Sequence, residues 1–356
     1  MTASQFTCFF NRRSVRVGLT VAAAIAGFAP LSGSAQRDQT GTWKIDYYES
    51  DGRTQLQIEV RDGNGRSTHG DWVAVSSLEG LSIGQLRGAS SDTHFRLKRD
   101  AGTFTFDGRV GYNRGAGQFT FAADPKFAAA LVARGYSRPD AGEQFQLAIY
   151  DIGFSYLEEV KSQGYGRPSI DALITMGQHG VHAEYLRGMG QLGYRLRNTE
   201  DLVNLRDHGV TPSFITGLNK LGFGKLTADK LLEMRDHGVT PSYVSAMRDA
   251  GYHKLGADDF VELRDHGVTQ DYIASLARLG YTNLTTDDLL TARDHGVTAS
   301  FSEGFRRLGY TSISLSQLVR LRDHGVTPEF AARVRSREGR PVSIQELISR
   351  RDRGDQ

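Results

Sequence analysis

The sequence predicts an α+β protein: a small antiparallel β unit followed by an all-α array of two-helix repeats, solenoid-like. Three observations predict it. Between Gly41 and Ala123 apolar and polar residues alternate, the period of a half-buried strand. From Asp124 onward the period changes and a 29-residue unit recurs. Within each unit, capping residues and glycines stand where two short helices would start and stop. The composition, 39% hydrophobic and 24% charged, is that of a globular chain.

Residues 1–35 read as a secretory signal peptide. Arg12, Arg13 and Arg16 form a basic start, Val17–Leu31 is an apolar run, and Gly33–Ala35 offers small residues for cleavage. The run is short for a membrane span and Pro30 interrupts it. Cleavage after Ala35 removes Cys8, the single cysteine, so the mature chain is expected to form no disulfide. It also takes Lys+Arg from 43 to 40 against 41 Asp+Glu, and the net charge from +2 to −1. A near-neutral chain has no electrostatic case for nucleic acid. No later run is long and apolar enough to cross a bilayer.

Residues 36–123 are expected to form the β-rich domain. Trp43–Val60 holds two β-rich runs around Asp51–Gly52, a hairpin cue. Phe95–Phe121 holds three more, broken by glycine-containing turns, which gives a meander or compact sandwich. Phe104, Phe106, Phe119 and Phe121 alternate and so belong to one buried face.

Residues 124–356 are expected to form the repeat domain. His179, His208, His237, His266, His295 and His324 are spaced by 29 residues, each followed by Gly-Val. Gly164, Gly193, Gly222, Gly251, Gly280 and Gly309 keep the same period, each followed by Tyr or Phe. In the unit from Thr227 to Tyr252, Thr227 is the expected cap of the first helix and Gly238 its left-handed end. Thr240 caps the second helix, Pro241 suits its first position and Gly251 stops it. Ser169, Asn198, Thr285, Ser314 and Ser343 are equivalent starts, with capping boxes expected at Ser314–Gln317, Ser343–Glu346 and, degenerately, Asp140–Glu143. Asp124–Tyr136 and Asp151–Tyr165 keep the register at one end and Leu347–Gly354 at the other, with Arg353 in place of His. Such short helices hold only by stacking on neighbouring units, and divergent ends let the stack stop. The first divergent unit is expected to dock on the β unit.

An Asp beside a His, at Asp207–His208, Asp236–His237, Asp265–His266, Asp294–His295 and Asp323–His324, raises the question of chemistry. A catalytic triad needs one such pair converging with a nucleophile on a pocket, not five along a rod. Adjacent helical residues also point in different directions. Zinc needs three or four ligands within about 2.0–2.3 Å, and one His per unit does not converge. The structural reading assigns His179, His208, His237, His266, His295 and His324 to helix ends, where they donate to terminal carbonyls. Gly209, Gly238, Gly267, Gly296 and Gly325 close the turns. Asp, disfavoured at that end of the dipole, is expected to pair with the Arg before it or an Arg of the next unit. No metal or cofactor is expected.

At these residues the chain resembles a known kind of repeat. Segments similar to "LRDHGVTPSYVSAMRDAGY" occur in bacterial exported proteins and in the extracytoplasmic C-terminal tails of membrane zinc metallopeptidases of the beta-lactam-sensor type. The resemblance covers Asp124–Gly354, and "GTFTFDGRVGYNRGAGQFTFAADPKF" is similar to the segment that leads into such repeats. This chain has no HExxH and no transmembrane bundle, so the peptidase activity does not carry over. The resemblance implies a stand-alone version of the tail, in the periplasm or outside the cell.

The expected function is a non-enzymatic scaffold that binds an unknown protein or envelope component through the array. Positions such as Ser242, Ser245 and Arg248, against Asp271, Ala274 and Ala277 or Ser300, Glu303 and Arg306, vary between units as recognition surfaces and drifting solvent positions both do. Basic residues gather toward the end; Arg333, Arg335 and Arg337 are candidate partner-binding residues, the alternative being a polar cap. A second reading is an envelope carbohydrate or peptidoglycan binder whose β unit uses Trp43, Tyr47, Tyr48 or Trp72 as platforms, against their use as core. A third, a hydrolase using His69, Asp71 or Asp51, has no spacing to recommend it.

Overall fold

The computed structural model describes residues 39–48, 53–62 and 65–355. The signal-peptide reading of residues 1–35 and the Asp51–Gly52 turn lie outside the described residues.

The alternating segment forms β1 (Gln39–Tyr48) and β2 (Arg53–Asp62), then β5 (Ser91–Arg99), β6 (Gly102–Gly111) and β7 (Arg114–Ala123). Between them lie β3 (Gly65–Ala74), the two-residue β4 (Leu78–Glu79) and the short helix α1 (Ile83–Arg87), which the alternation did not reveal. All seven strands make one antiparallel sheet in the order β3-β2-β1-β7-β6-β5-β4, two meanders joined where β1 meets β7. It is neither a single meander nor a sandwich. Strands β3 and β4 are the two edges, yet only Val75–Ser77 separates them in sequence. That link reaches at most about 14 Å, whereas the edges of a flat seven-stranded sheet lie about 29 Å apart. The sheet therefore curls until its edges approach. Gly108 faces Gly117 across β6 and β7. A Cβ on Gly117 would stand 1.9 Å from the Asp107 carbonyl, so the backbones are closer there than any other residue allows.

The concave side is filled with aromatic rings. Phe95 stacks on Phe106 at 4.7 Å, and Trp43 meets Phe95 edge-on at 5.1 Å. Phe104, Phe106, Phe119 and Phe121 are all buried, as the alternation predicts. The ring that completes this cluster comes from the array: Phe145 lies 5.6 Å from Phe104 and 5.4 Å from Phe121.

Two rows of helices follow. The first helices of the units are α3 (Ala141–Ile149), α5 (Ile170–Gln178), α7 (Thr199–Asp207), α9 (Ala228–Asp236), α11 (Ala257–Asp265), α13 (Thr286–Asp294), α15 (Leu315–Asp323) and α17 (Ile344–Asp352). The second helices are α2 (Pro125–Ala133), α4 (Phe154–Ser162), α6 (Ala183–Gln191), α8 (Pro212–Lys220), α10 (Pro241–Asp249), α12 (Gln270–Ala277), α14 (Ala299–Arg307) and α16 (Pro328–Glu338). First helices pack on first helices, as α5 does on α3 and α7, and second on second, as α10 does on α8 and α12.

The caps stand where the sequence places them. Thr227 and Thr240 accept from the backbone N–H three residues on, and Pro241 opens α10. Capping boxes close at Asp140–Glu143 and Ser314–Gln317. At Ser343 the hydroxyl caps, but the Glu346 carboxylate turns instead to Arg340 and Arg350, 3.0 and 2.9 Å away. Those two guanidinium groups hold its carboxyl below the usual carboxylate range. Gly238 and Gly267 stand at φ 72° and 71°, the left-handed ends that the two-helix register requires. The Val after each such glycine is fully buried, as at Val239 and Val268.

Candidate functional site

The repeated Asp–His pair is resolved between units, not within one. Each His donates from Nδ1 to the Asp of the following unit, 28 residues on. His179 meets Asp207 at 2.8 Å, and His208, His237 and His266 meet Asp236, Asp265 and Asp294 at 2.5 Å. His295 bonds Asp323 likewise, and His324 closes the series on Asp352 at 2.8 Å. An ionised carboxylate only accepts, so Nδ1 carries the proton. The Asp partner is therefore a neighbouring His and not, as the dipole argument suggests, an Arg. Nor do the histidines spend Nδ1 on terminal carbonyls.

The Arg before each Asp has a different task. It lies over an aromatic ring of the preceding unit's second helix: Arg264 over Tyr243 at 5.1 Å, Arg293 over Tyr272 at 5.0 Å, Arg322 over Phe301 at 4.3 Å. Arg206 and Arg322 also donate from Nε to the carbonyls of Gly180 and Gly296, at 3.1 and 2.8 Å. The guanidinium thus reaches the negative end of a neighbouring helix. Beneath it the tyrosine hydroxyl donates to the next unit's buried Val: Tyr185 to Val210, Tyr243 to Val268 and Tyr272 to Val297, at 2.8–3.0 Å. Tyr156 bonds Val181 likewise at 2.7 Å, with Gly177 where the later units carry Arg. The tyrosines after the second glycine do the same on the other side, as Tyr252 does to Leu284 at 3.0 Å and Tyr281 to Ile313 at 2.9 Å. Every repeated letter of "RDHGVTPxY" therefore ends a helix, starts one, or bonds a neighbouring unit.

Among the described residues no three His, Cys, Asp or Glu side chains gather as a set of metal ligands, and no helix is long and apolar enough to cross a membrane.

The C-terminal arginines are partly committed. Arg335 donates to the Leu308 carbonyl and Arg306 to the Leu279 carbonyl, each covering the end of the previous second helix. Arg333 lies over its own helix's Phe330 at 5.9 Å. Arg340 and Arg350 share Glu338 and Glu346. Arg333 and Arg337 stand exposed. Clefts recur at unit junctions along the second-helix side: about 460 Å³ between Arg134, Tyr136, Leu157 and Lys161, about 670 Å³ between Arg278, Tyr281, Arg306 and Ser312, and about 430 Å³ between Leu308, Ala332 and Arg340.

On the sheet, Trp43 and Tyr47 are core, while Tyr48 and Trp72 are exposed and packed on each other. His69 and Asp71 face the array. His69 Nδ1 lies 3.0 Å from the Tyr150 hydroxyl, and Asp71 lies 3.8 Å from His182 Nε2. Asp71 also accepts from its neighbour's amide, Trp72 N, at 2.7 Å. Burial lowers the His69 pKa, raises that of Asp71 against the pull of His182, and pushes Tyr150 up to about 12. Arg99 pairs with Asp151 at 2.8 Å beside them. Tyr150, Asp151 and His182 escaped the sequence reading, although the register marks them. They stand 29 residues before His179, Gly180 and Thr211, and each breaks the repeat's rule. Tyr150 has exchanged the inter-unit rung for a bond to the sheet, and His182 starts α6 without a side-chain cap. Asp51, the third residue of the hydrolase reading, lies outside the described residues.

Compared with protein-family models and with curated proteins, the chain matches none.

Proposed function

We propose that this chain is an exported, non-enzymatic scaffold that binds a protein or envelope component through its helical array, in the periplasm or outside the cell. The observation that carries this reading is the consumption of the motif. Asp, His, Arg, Gly, Val and Tyr are all used between units, so no repeated polar residue is left over for chemistry. Most of what differs from unit to unit faces outward: Ser242, Asp271, Ala274, Ala277, Ser300 and Glu303 are exposed, and Ser245 is half-buried. The recurring clefts give a partner's side chains places to enter. Arg248 and Arg306 leave this set, because Arg248 lies over Phe223 and Arg306 caps a helix. Arg333, Arg335 and Arg337, all exposed, remain the candidate basic contacts; Arg335 in addition donates to the Leu308 carbonyl.

Retention of one defined partner by the chain lacking residues 1–35, lost on charge reversal at Arg333 and Arg337 or on Asp271→Arg with Glu303→Arg while the helical signal is unchanged, supports the array as the binding face. Undiminished retention by all these variants refutes it. Export is tested separately by the N-terminus of the protein recovered from outside the cytoplasm, expected at Gln36.

A second reading, a carbohydrate binder acting through the sheet, is favoured by one observation: Tyr48 and Trp72 stand outside the core.

A further inference from the structure

The outer face of β1, β2 and β3 carries aromatic side chains that the core does not use. On β1 the inward residues are Trp43, Ile45 and Tyr47, so Lys44, Asp46 and Tyr48 face outward. On β3 Val73 is buried and Trp72 faces outward. The register sets Asp46, Gln55 and Trp72 in one row across the three strands and Lys44, Gln57 and Gly70 in the next. Tyr48 leans across to Trp72 with ring centroids 5.1 Å apart and planes at 57°. Both rings remain nearly half exposed, 44% and 45%.

A third aromatic stands at the same end of the sheet. The β6–β7 turn holds Tyr112 at φ 54°, a left-handed conformation costly for a bulky residue, with its side chain 72% exposed. The next residue, Asn113, accepts from Tyr47 N at 2.9 Å, and Tyr112 N donates to Gly88 O at 3.0 Å, so the turn is fixed beside the end of β1. Glycine or asparagine would hold this two-residue turn with less strain. An exposed tyrosine kept there at a cost in stability points to a contact outside the chain.

The geometry points to a glycan-binding platform: the Tyr48–Trp72 pair, with Tyr112 exposed at the same end of the sheet, packs on the C–H faces of pyranose rings in a β-1,4-linked N-acetylhexosamine chain. Equatorial linkage leaves both faces of each ring flat and apolar, the surface that an aromatic ridge covers. The amides of Gln55 and Gln57 both donate and accept, as acetamido groups require. Asp46 lies beside Arg114 at 3.6 Å, and Lys44 is one row away, so charges of both signs lie together and a neutral chain fits better than an anionic one. This assignment rests on the carbohydrate reading of the sheet.

Trp43 is 1% exposed and Trp72 45%, so the Trp72 environment is the optical reporter. The full chain is titrated with chitotetraose, followed by emission and by calorimetry. The expected result is a saturable emission shift, an affinity about tenfold weaker in Trp72→Ala, and a several-fold weaker affinity in Tyr112→Gly with a melting temperature equal to or above the parent's. Loss of sugar binding without loss of stability at Tyr112 separates a contact role from a structural one. An unchanged affinity in both variants overturns the platform. If insoluble chitin still retains both variants, the carbohydrate reading survives and only this assignment falls. If it retains not even the parent chain, both fall.

Discussion

Asp265 and His266 are neighbours in sequence and members of different junctions: Asp265 is bonded to His237 behind it, His266 to Asp294 ahead of it. Their side chains are about half exposed, so one such pair contributes roughly 0–1 kcal/mol. Six in series act chiefly by fixing the register between units. A single glycine matters more. Gly267 stands at φ 71°, and a side chain there would begin 3.3 Å from Arg293 Nε. Gly267→Val is expected to cost at least about 1 kcal/mol more than Ser245→Val, measured by denaturant unfolding. The position of that glycine was legible, because the left-handed end of a short helix is a local property of the chain. The partner of Asp265 was not. Helix-dipole reasoning sees only the helix an Asp stands on, and His237 belongs to another, 28 residues back.

At the scale of the element, each array helix, of 8 to 11 residues, is too short to persist alone, and the inter-unit bonds make it part of a row. Tyr243 joins α10 to the next unit through its hydroxyl on Val268, while Phe214 occupies the same place on α8 with no hydroxyl to give. Tyr243→Phe is expected to lower stability by about 1 kcal/mol. Phe214→Tyr is expected to raise it by up to about the same amount, read as a shift of the chemical-denaturation midpoint. The helices themselves were legible from caps, Pro and Gly. The strands β3 and β4 were not, since β3 carries His69 and Asp71 on its inward side, where an apolar alternation would announce a strand. Those polar residues face inward because the array's Tyr150 and His182 meet them, a reason that no local pattern contains.

At the scale of the molecule, the sheet seals one end of the array, and the junction between them is its pH-sensitive part. His69 has a folded pKa below its ordinary 6.5, so its contribution is complete above about pH 6.5 and is lost as pH falls from there toward the folded value. Asp71 is shifted the opposite way: burial raises it above 3.8, its penalty is felt once it ionises, and that penalty is relieved as pH falls toward 3.8. The His69 contribution should therefore fall on acidification from about pH 7 to pH 5.5, and His69→Gln should remove that destabilising component from the pH–stability curve. An unchanged slope would show that His69 does not carry the pH dependence. The Asp–His motif is a bond between units, and two double-mutant cycles on stability decide it: His237→Ala with Asp265→Ala, and Asp265→Ala with His266→Ala. The pair separated by 28 residues should couple by about 0.5 kcal/mol and the adjacent pair not at all; coupling in the adjacent pair, with none in the distant one, would mean that the motif acts within a unit.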